Sequence, residues 1–260
     1  EFAKAHEKLG RNRPVNLLTK FELNTEFIIQ IMAKVDSKYK DFSIHFDEKE
    51  IENGIITNLI NRKSNKTIGF FPFQAKSEQE SITLIIKSKA LDIDVIKGLH
   101  SLAASIDPSL SDLIYRYRHQ TEYFNCHSKE LFIYEDLNKN NFYITPKYYG
   151  KKEDLNRELF LFIMDYLDAN KMSHFNSENK PELWKTSDIN KIIIEITKVH
   201  KYYHSKIYKI EDSIIQEFKV SKATKLYQKL IAIIVDEEDD IIRKNQFIKL
   251  NDFLSDIKDF

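Results

Sequence analysis

Leu159-Phe160-Leu161-Phe162-Ile163-Met164-Asp165-Tyr166-Leu167 decides how the chain is read. Leu159 to Met164 is an unbroken apolar run of six residues. That length suits a strand covered on both faces and is too short for a buried helix. Asp165 then ends the run in a polar turn. A strand covered on both faces needs neighbours in a sheet and a layer on each side of it.

Towards the N-terminus, Ser81–Lys89 (SITLIIKSK) is rich in β-branched residues and predicts a strand. Thr67–Phe73 is also β-prone, with Pro72 suggesting an edge or a strand end. Ser77–Glu80 supplies a polar turn between the two. Arg62-Lys63-Ser64-Asn65-Lys66 supplies an earlier turn, after the short apolar run Ile55–Ile60, and the group reads as an antiparallel meander. Phe142–Tyr149 reads as a further strand interrupted by Pro146.

Helical spacing accounts for most of the rest. Phe21, Leu23, Phe27, Ile28, Ile31, Met32 and Val35 predict a first helix, with Asn24 or Thr25 as its cap. Asp92–Ile106 is helical, Pro108 opens a fresh helix running towards Tyr123, and Ser128–Leu137 is another. Ser187-Asp188 can open a helix whose stripe is Ile189, Ile192, Ile193, Ile196, Val199 and Tyr203. Leu226, Leu230, Ile233 and Ile234 mark a later one, and Phe247, Leu250, Leu254 and Ile257 the last. The fold class is α+β: a front of strands and helices, residues 1–165, and a helical back, residues 166–260. The boundary falls near 165–185, where Asp168-Ala169-Asn170-Lys171 and the stretch from Asn176 to Pro181 break the periodicity.

Composition excludes several classes of partner. Forty basic residues balance forty acidic ones, so no global field draws nucleic acid or anionic lipid. The local group Lys147, Lys151 and Lys152 reads as solvated surface. No apolar run approaches the roughly 18 residues of a membrane span. Cys126 is the only cysteine, which rules out an internal disulfide or a cysteine zinc site and fits a reducing, cytoplasmic setting. The histidines show no paired metal spacing, and the adjacent Cys126-His127 reads as structural, not as a nucleophile and its base.

Several of these strings, in order, resemble small-molecule kinases of the aminoglycoside-phosphotransferase and choline-kinase type, which have the two-lobed protein-kinase-like fold. Arg62–Thr67 resembles the turn between the first two strands, although the paired glycines of that turn are missing here. Leu84-Ile85-Ile86-Lys87 resembles the third strand with its nucleotide lysine, which must be held rigidly and aimed at the α- and β-phosphates. Lys89, two residues on and on the same face, is the rival. Ser128–Tyr134 resembles the regulatory helix whose glutamate holds that lysine. This implies a Lys87–Glu130 ion pair, with Glu135 and Asp136 as rivals. Thr145–Gly150 resembles the strand returning to the cleft. Leu159–Leu167 resembles the strand entering the hinge: Met164 would stand at the back of the pocket, Asp165 would offer its carbonyl and Leu167 its amide to adenine, with Tyr166 between them. Ile192–His204 resembles the first helix of the second lobe, where His200 reads as a packing residue.

The resemblance covers roughly residues 55–205. It implies a nucleotide-binding lobe with a five-stranded antiparallel sheet, followed by the first helices of a helical lobe. The implied activity is ATP- and Mg2+-dependent phosphorylation of a small-molecule hydroxyl. The catalytic His-x-Asp-x-x-x-x-Asn loop and the magnesium ligands are not found in the sequence. The acidic run Asp236–Asp240 reads as a solvated helix face. His45-Phe46-Asp47 lies in the wrong lobe, with Glu52 where the loop needs asparagine and Asn53 one position late. The chain is therefore expected to stop before that loop, which later polypeptide or a second chain completing the helical lobe would supply. The alternatives are a catalytically inactive kinase-like binding or regulatory module, and a helical interaction protein with no kinase relation, which a structure lacking a five-stranded antiparallel sheet with a helix beside Lys87 would favour.

Overall fold

The computed structural model describes residues 23–46, 51, 54–64, 68–120, 123–155, 157–167, 183–204 and 220–256. Among these it is a mixed α+β protein with five strands in one antiparallel sheet and eight helices.

Helix α1 (Thr25–Met32) is capped by Asn24, whose side chain accepts from Phe27 N at 2.9 Å. Strand β1 (Ser43–Phe46) follows, then α2 (Ile55–Ser64), β2 (Gly69–Lys76) and β3 (Ser81–Lys89). The β2–β3 turn is held by the Ser77 hydroxyl, which accepts from the amides of Gln79 and Glu80. Helices α3 (Asp92–Ile106) and α4 (Pro108–Tyr117) separate β3 from α5 (Cys126–Lys139). Strands β4 (Tyr148–Asp154) and β5 (Leu159–Asp165) complete the sheet, in the order β1-β2-β3-β5-β4. Helices α6 (Thr186–His204), α7 (Val220–Glu237) and α8 (Ile241–Ser255) follow.

The central strands β3 and β5 alternate between two covered faces, as the apolar run at 159–164 requires. Leu84, Ile86, Leu161 and Ile163 point to a core closed by Ile28, Ile31 and Met32 of α1. Phe160 and Phe162 point the other way, into a second core with Leu131 of α5, Leu91 and Tyr148. The sheet is thus the middle layer between α1 and α5. A bulge shifts the β4 register between Tyr148 and Gly150, while Tyr148 and Tyr149 alternate to opposite cores as neighbours on a strand do. Gly150 lies there at φ +135°, with a Cβ-sized space only 2.8 Å from the Ile31 carbonyl oxygen, so α1 presses directly onto the strand.

Four readings of the sequence are corrected. Ile55–Ser64 is a helix, so Arg62-Lys63-Ser64 do not form a turn between the first two strands; Asn65 to Thr67 lie outside the described residues. The reason is tertiary: Ile56 packs at Gly98 of α3, where an added Cβ would stand 3.2 Å from the Ile56 methyl, and Ile60 joins Ile68 and Ala90 in a third core. The first strand is Ser43–Phe46 instead, and it contains His45, whose ring nitrogen meets the Ser43 hydroxyl at 3.2 Å. The fourth strand starts at Tyr148, not Phe142, because the residues before Pro146 form a turn that leaves Tyr143 90% exposed. Asp236–Asp240 is not one helix face: α7 ends at Glu237, and Asp240 caps α8 by accepting from Ile242 N and Arg243 N.

Among the described residues the β1–β2 pairing ends at Phe73, and the adjoining Pro72 pairs with Ile85 of β3. The α4 helix is shorter than its sequence pattern: it ends at Tyr117 and tightens into a 3-10 turn over Arg118–Gln120. The stripe on α6 forms as a helix face, but Ile189, Ile192, Ile193 and Ile196 are exposed. The division between residues 1–165 and 166–260 falls at the end of β5, and residues 168–182 lie outside the described residues.

Candidate functional site

Strand β3 projects Lys87 and Lys89 to the same face, because alternate residues share a side. Their ladder partners on β5 are Phe162 and Phe160, so both lysines rise from the face covered by α5. Leu131 and Tyr134 pack α5 against that face, and this seating brings Glu130 over the lysines. Lys87 donates to Glu130 Oε1 and Lys89 to Oε2, so one carboxylate holds two ammoniums. The three side chains are 26%, 16% and 21% exposed, partly screened from water. Burial would push the Glu130 carboxyl up, but the Lys89 and Lys87 ammoniums outweigh it and hold it below the usual carboxylate range.

The two rivals for the glutamate are engaged elsewhere. Glu135 pairs with Lys139 at 2.8 Å and with Lys151 at 3.0 Å. Asp136 Oδ1 accepts from the Asn140 amide at 3.2 Å. Lys87 and Lys89, by contrast, are not alternatives: both reach Glu130. The basic group does not act as one patch either. Lys151 is tied to Glu135 and Glu153, while the Lys147 ammonium sits 4.9 Å from the Tyr149 ring centroid.

Met164 pairs with Ile85, two ladder positions from Lys87, and packs in the same core as Leu131 and Phe162. It therefore shares the lysine face. Asp165 pairs with Leu84 and points to the opposite face, where its Oδ1 accepts from the Tyr149 hydroxyl at 2.8 Å. Backbone bonds fix the exit of β5: Asp165 N donates to Lys147 O at 3.0 Å and Tyr166 N to Thr83 O at 3.2 Å. Leu167 is 41% exposed beyond that point.

A cavity of about 480 Å³ opens beside the lysines, between α2, β2, β3 and the start of α3. Lys87, Lys89 and Phe70 line one part, and the Lys87 ammonium lies 5.5 Å from the Phe70 ring centroid. Ile56, Ile60, Ile68, Val95 and Leu99 make an apolar wall. None of the described residues lining the cavity is acidic, and it does not reach Met164–Leu167. The sequence offered no sign of it, because its wall depends on α2 crossing α3.

Cys126 also lines the cavity, and burial pushes its thiol up, away from the reactive thiolate. His127 accepts from Asp92 N at 3.2 Å and packs edge-on to Phe160, a structural role. His200 lies in α6. No helix among the described residues is long and apolar enough to cross a membrane. No protein-family model, curated protein or solved structure matches the chain.

Proposed function

We propose that these residues form the nucleotide-binding part of an ATP-dependent phosphotransferase acting on a small-molecule hydroxyl. The observation that carries the reading is the joining of Lys87 on β3 to Glu130 on α5, on one face of a five-stranded antiparallel sheet. A phosphate-directed lysine must be rigid and must stay charged. The strand fixes its stem, and the glutamate fixes its head. In this reading β1–β5 with α5 are a kinase-like nucleotide lobe, and α6–α8 belong to the start of a helical lobe.

Each residue then has a task. Lys87 contacts the α- and β-phosphates, and Glu130 orients it. Met164 backs the adenine pocket on the same face. The Asp165 carbonyl and the Leu167 amide meet the adenine edge, with Tyr166 held against β3 between them. The lysines fit a polyphosphate, since two ammoniums face one carboxylate. Among the described residues no group of three or more histidine, cysteine or carboxylate side chains is placed to hold a metal, so none is named as a magnesium ligand. No step is therefore assigned to the metal.

The competing reading as a helical interaction protein would be favoured by a structure lacking the five-stranded sheet, and the sheet is present. The test is phosphoryl transfer to small hydroxyl compounds by the full-length gene product, alongside ATP binding. Binding with transfer supports the enzyme. Binding without transfer turns the reading to a regulatory module. Neither removes support from both.

A further inference from the structure

We propose that the cavity between α2, α3 and the β2–β3 strands is a binding site for a small amphipathic anion: one carboxylate or phosphate head on a compact apolar body. The proposal shares the Lys87–Lys89–Glu130 cluster with the nucleotide reading but does not depend on Met164–Leu167.

Charge supplies the first argument. Lys87 and Lys89 share the single carboxylate of Glu130, which leaves one positive charge in excess within ion-pair distance. The Asp92 carboxylate makes no ion pair with either lysine: its oxygens accept from the amides of Ile93 and Asn125, and one stands 4.0 Å from the His127 ring nitrogen. Partly buried charge without a counter-ion is costly, so the site favours an incoming anion. The lining agrees, since the described residues around the cavity include both lysines and no acid.

Shape supplies the second argument. The volume of about 480 Å³ falls in the range of small-molecule sites. Besides the two lysines the lining includes Ile56, Val95 and Leu99, and the Phe70 ring lies beside Lys87. A bare inorganic anion would leave that wall unfilled. An anion carrying a ring or a short chain would satisfy both ends at once.

The test is calorimetric titration of the full chain with phenyl phosphate, benzoate and inorganic phosphate at constant ionic strength. Phenyl phosphate or benzoate is expected to bind at least about tenfold more tightly than inorganic phosphate, the difference reflecting the buried ring. Which of the two binds tells a phosphate head from a carboxylate head. Lys89→Met is expected to weaken the better probe by at least about tenfold. Val95→Phe and Thr57→Phe each place a ring inside the cavity from a different helix and are expected to do the same. Two variants are used so that one misfolded protein, detected by circular dichroism, leaves the other decisive. Binding of neither organic probe overturns the proposal, as does organic binding no tighter than that of inorganic phosphate. Unchanged binding in folded cavity-filling variants also overturns it. Phenyl phosphate binding by a chain that ignores ATP would leave this site standing and the nucleotide reading fallen.

Discussion

Lys89 binds the second carboxylate oxygen of Glu130 from 41 residues away in sequence, beside the contact that Lys87 makes to the first. Helix α5 and the sheet are thus joined by a three-charge cluster, not by a simple pair. Removing the carboxylate would leave two partly buried ammoniums facing each other.

Glu130→Gln is therefore expected to lower stability at neutral pH by about 1–3 kcal/mol, measured by denaturant unfolding. The pH dependence follows from the sign of the shift. The folded-state carboxyl titrates below its unfolded value, so its contribution is present above the usual glutamate range and lost as pH falls through the lowered folded value. Acid unfolding of Glu130→Gln should be correspondingly shallower. Equal acid sensitivity in both proteins would count against the cluster.

Gly150→Ala is expected to cost about 2–4 kcal/mol, because the φ of +135° strains any side chain and the new Cβ would meet the Ile31 carbonyl oxygen at 2.8 Å. The clash is with backbone, which a rotamer change cannot relieve. A melting temperature unchanged from the wild type would show that α1 does not press on the bulge.

Asn138 ties α5 to β4: its Oδ1 accepts from Tyr148 N at 2.8 Å and its Nδ2 donates to Tyr134 O at 3.0 Å. Asn138→Ala is expected to cost about 1–3 kcal/mol, since the Tyr148 amide would lose this acceptor. Hydrogen exchange at the Tyr148 amide should rise with it. Protection equal to the wild type would refute the link.

Much of the layer structure could be read from the sequence, and for a physical reason. Ser81–Lys89 and Leu159–Met164 are covered on both faces, so their apolar runs are continuous and bounded by turns. Asp92–Ile106 carries a helical stripe of the usual length. Two elements were hidden. Ser43–Phe46 is a short edge strand with one buried residue, Ile44, and shows no alternation long enough to count. Ile55–Ser64 is helical because of α3 and the Ile60–Ile68 core, neither of which is local to it. At the site, the spacing of 87 and 89 put both lysines on one face, but only the seating of α5 decided that both reach Glu130. The cavity wall was invisible for the same reason as α2.

Tyr149→Phe is expected to cost about 1 kcal/mol by removing the bond from its hydroxyl to Asp165. Burial first, then that bond, pushes the Tyr149 hydroxyl well above its ordinary value. The neutral form is favoured in the fold, so this contribution is complete below the unfolded tyrosine value near pH ~10 and fades as pH rises beyond it. Stability of Tyr149→Phe should fall less between pH ~10 and ~11.5 than that of the wild type. Parallel alkaline limbs would contradict the assignment.

The central claim is that Lys87, held by Glu130, receives the phosphates of a nucleotide. It is tested most directly by titrating ATP with magnesium into the full-length gene product and into its Lys87→Ala variant, following thermal stability. Saturating ATP, about 100-fold over Kd, should stabilise the wild type by about 2.7 kcal/mol, and Lys87→Ala should lose most of that gain while remaining folded. No stabilisation of the wild type, or an equal gain in a folded Lys87→Ala variant, would contradict the account.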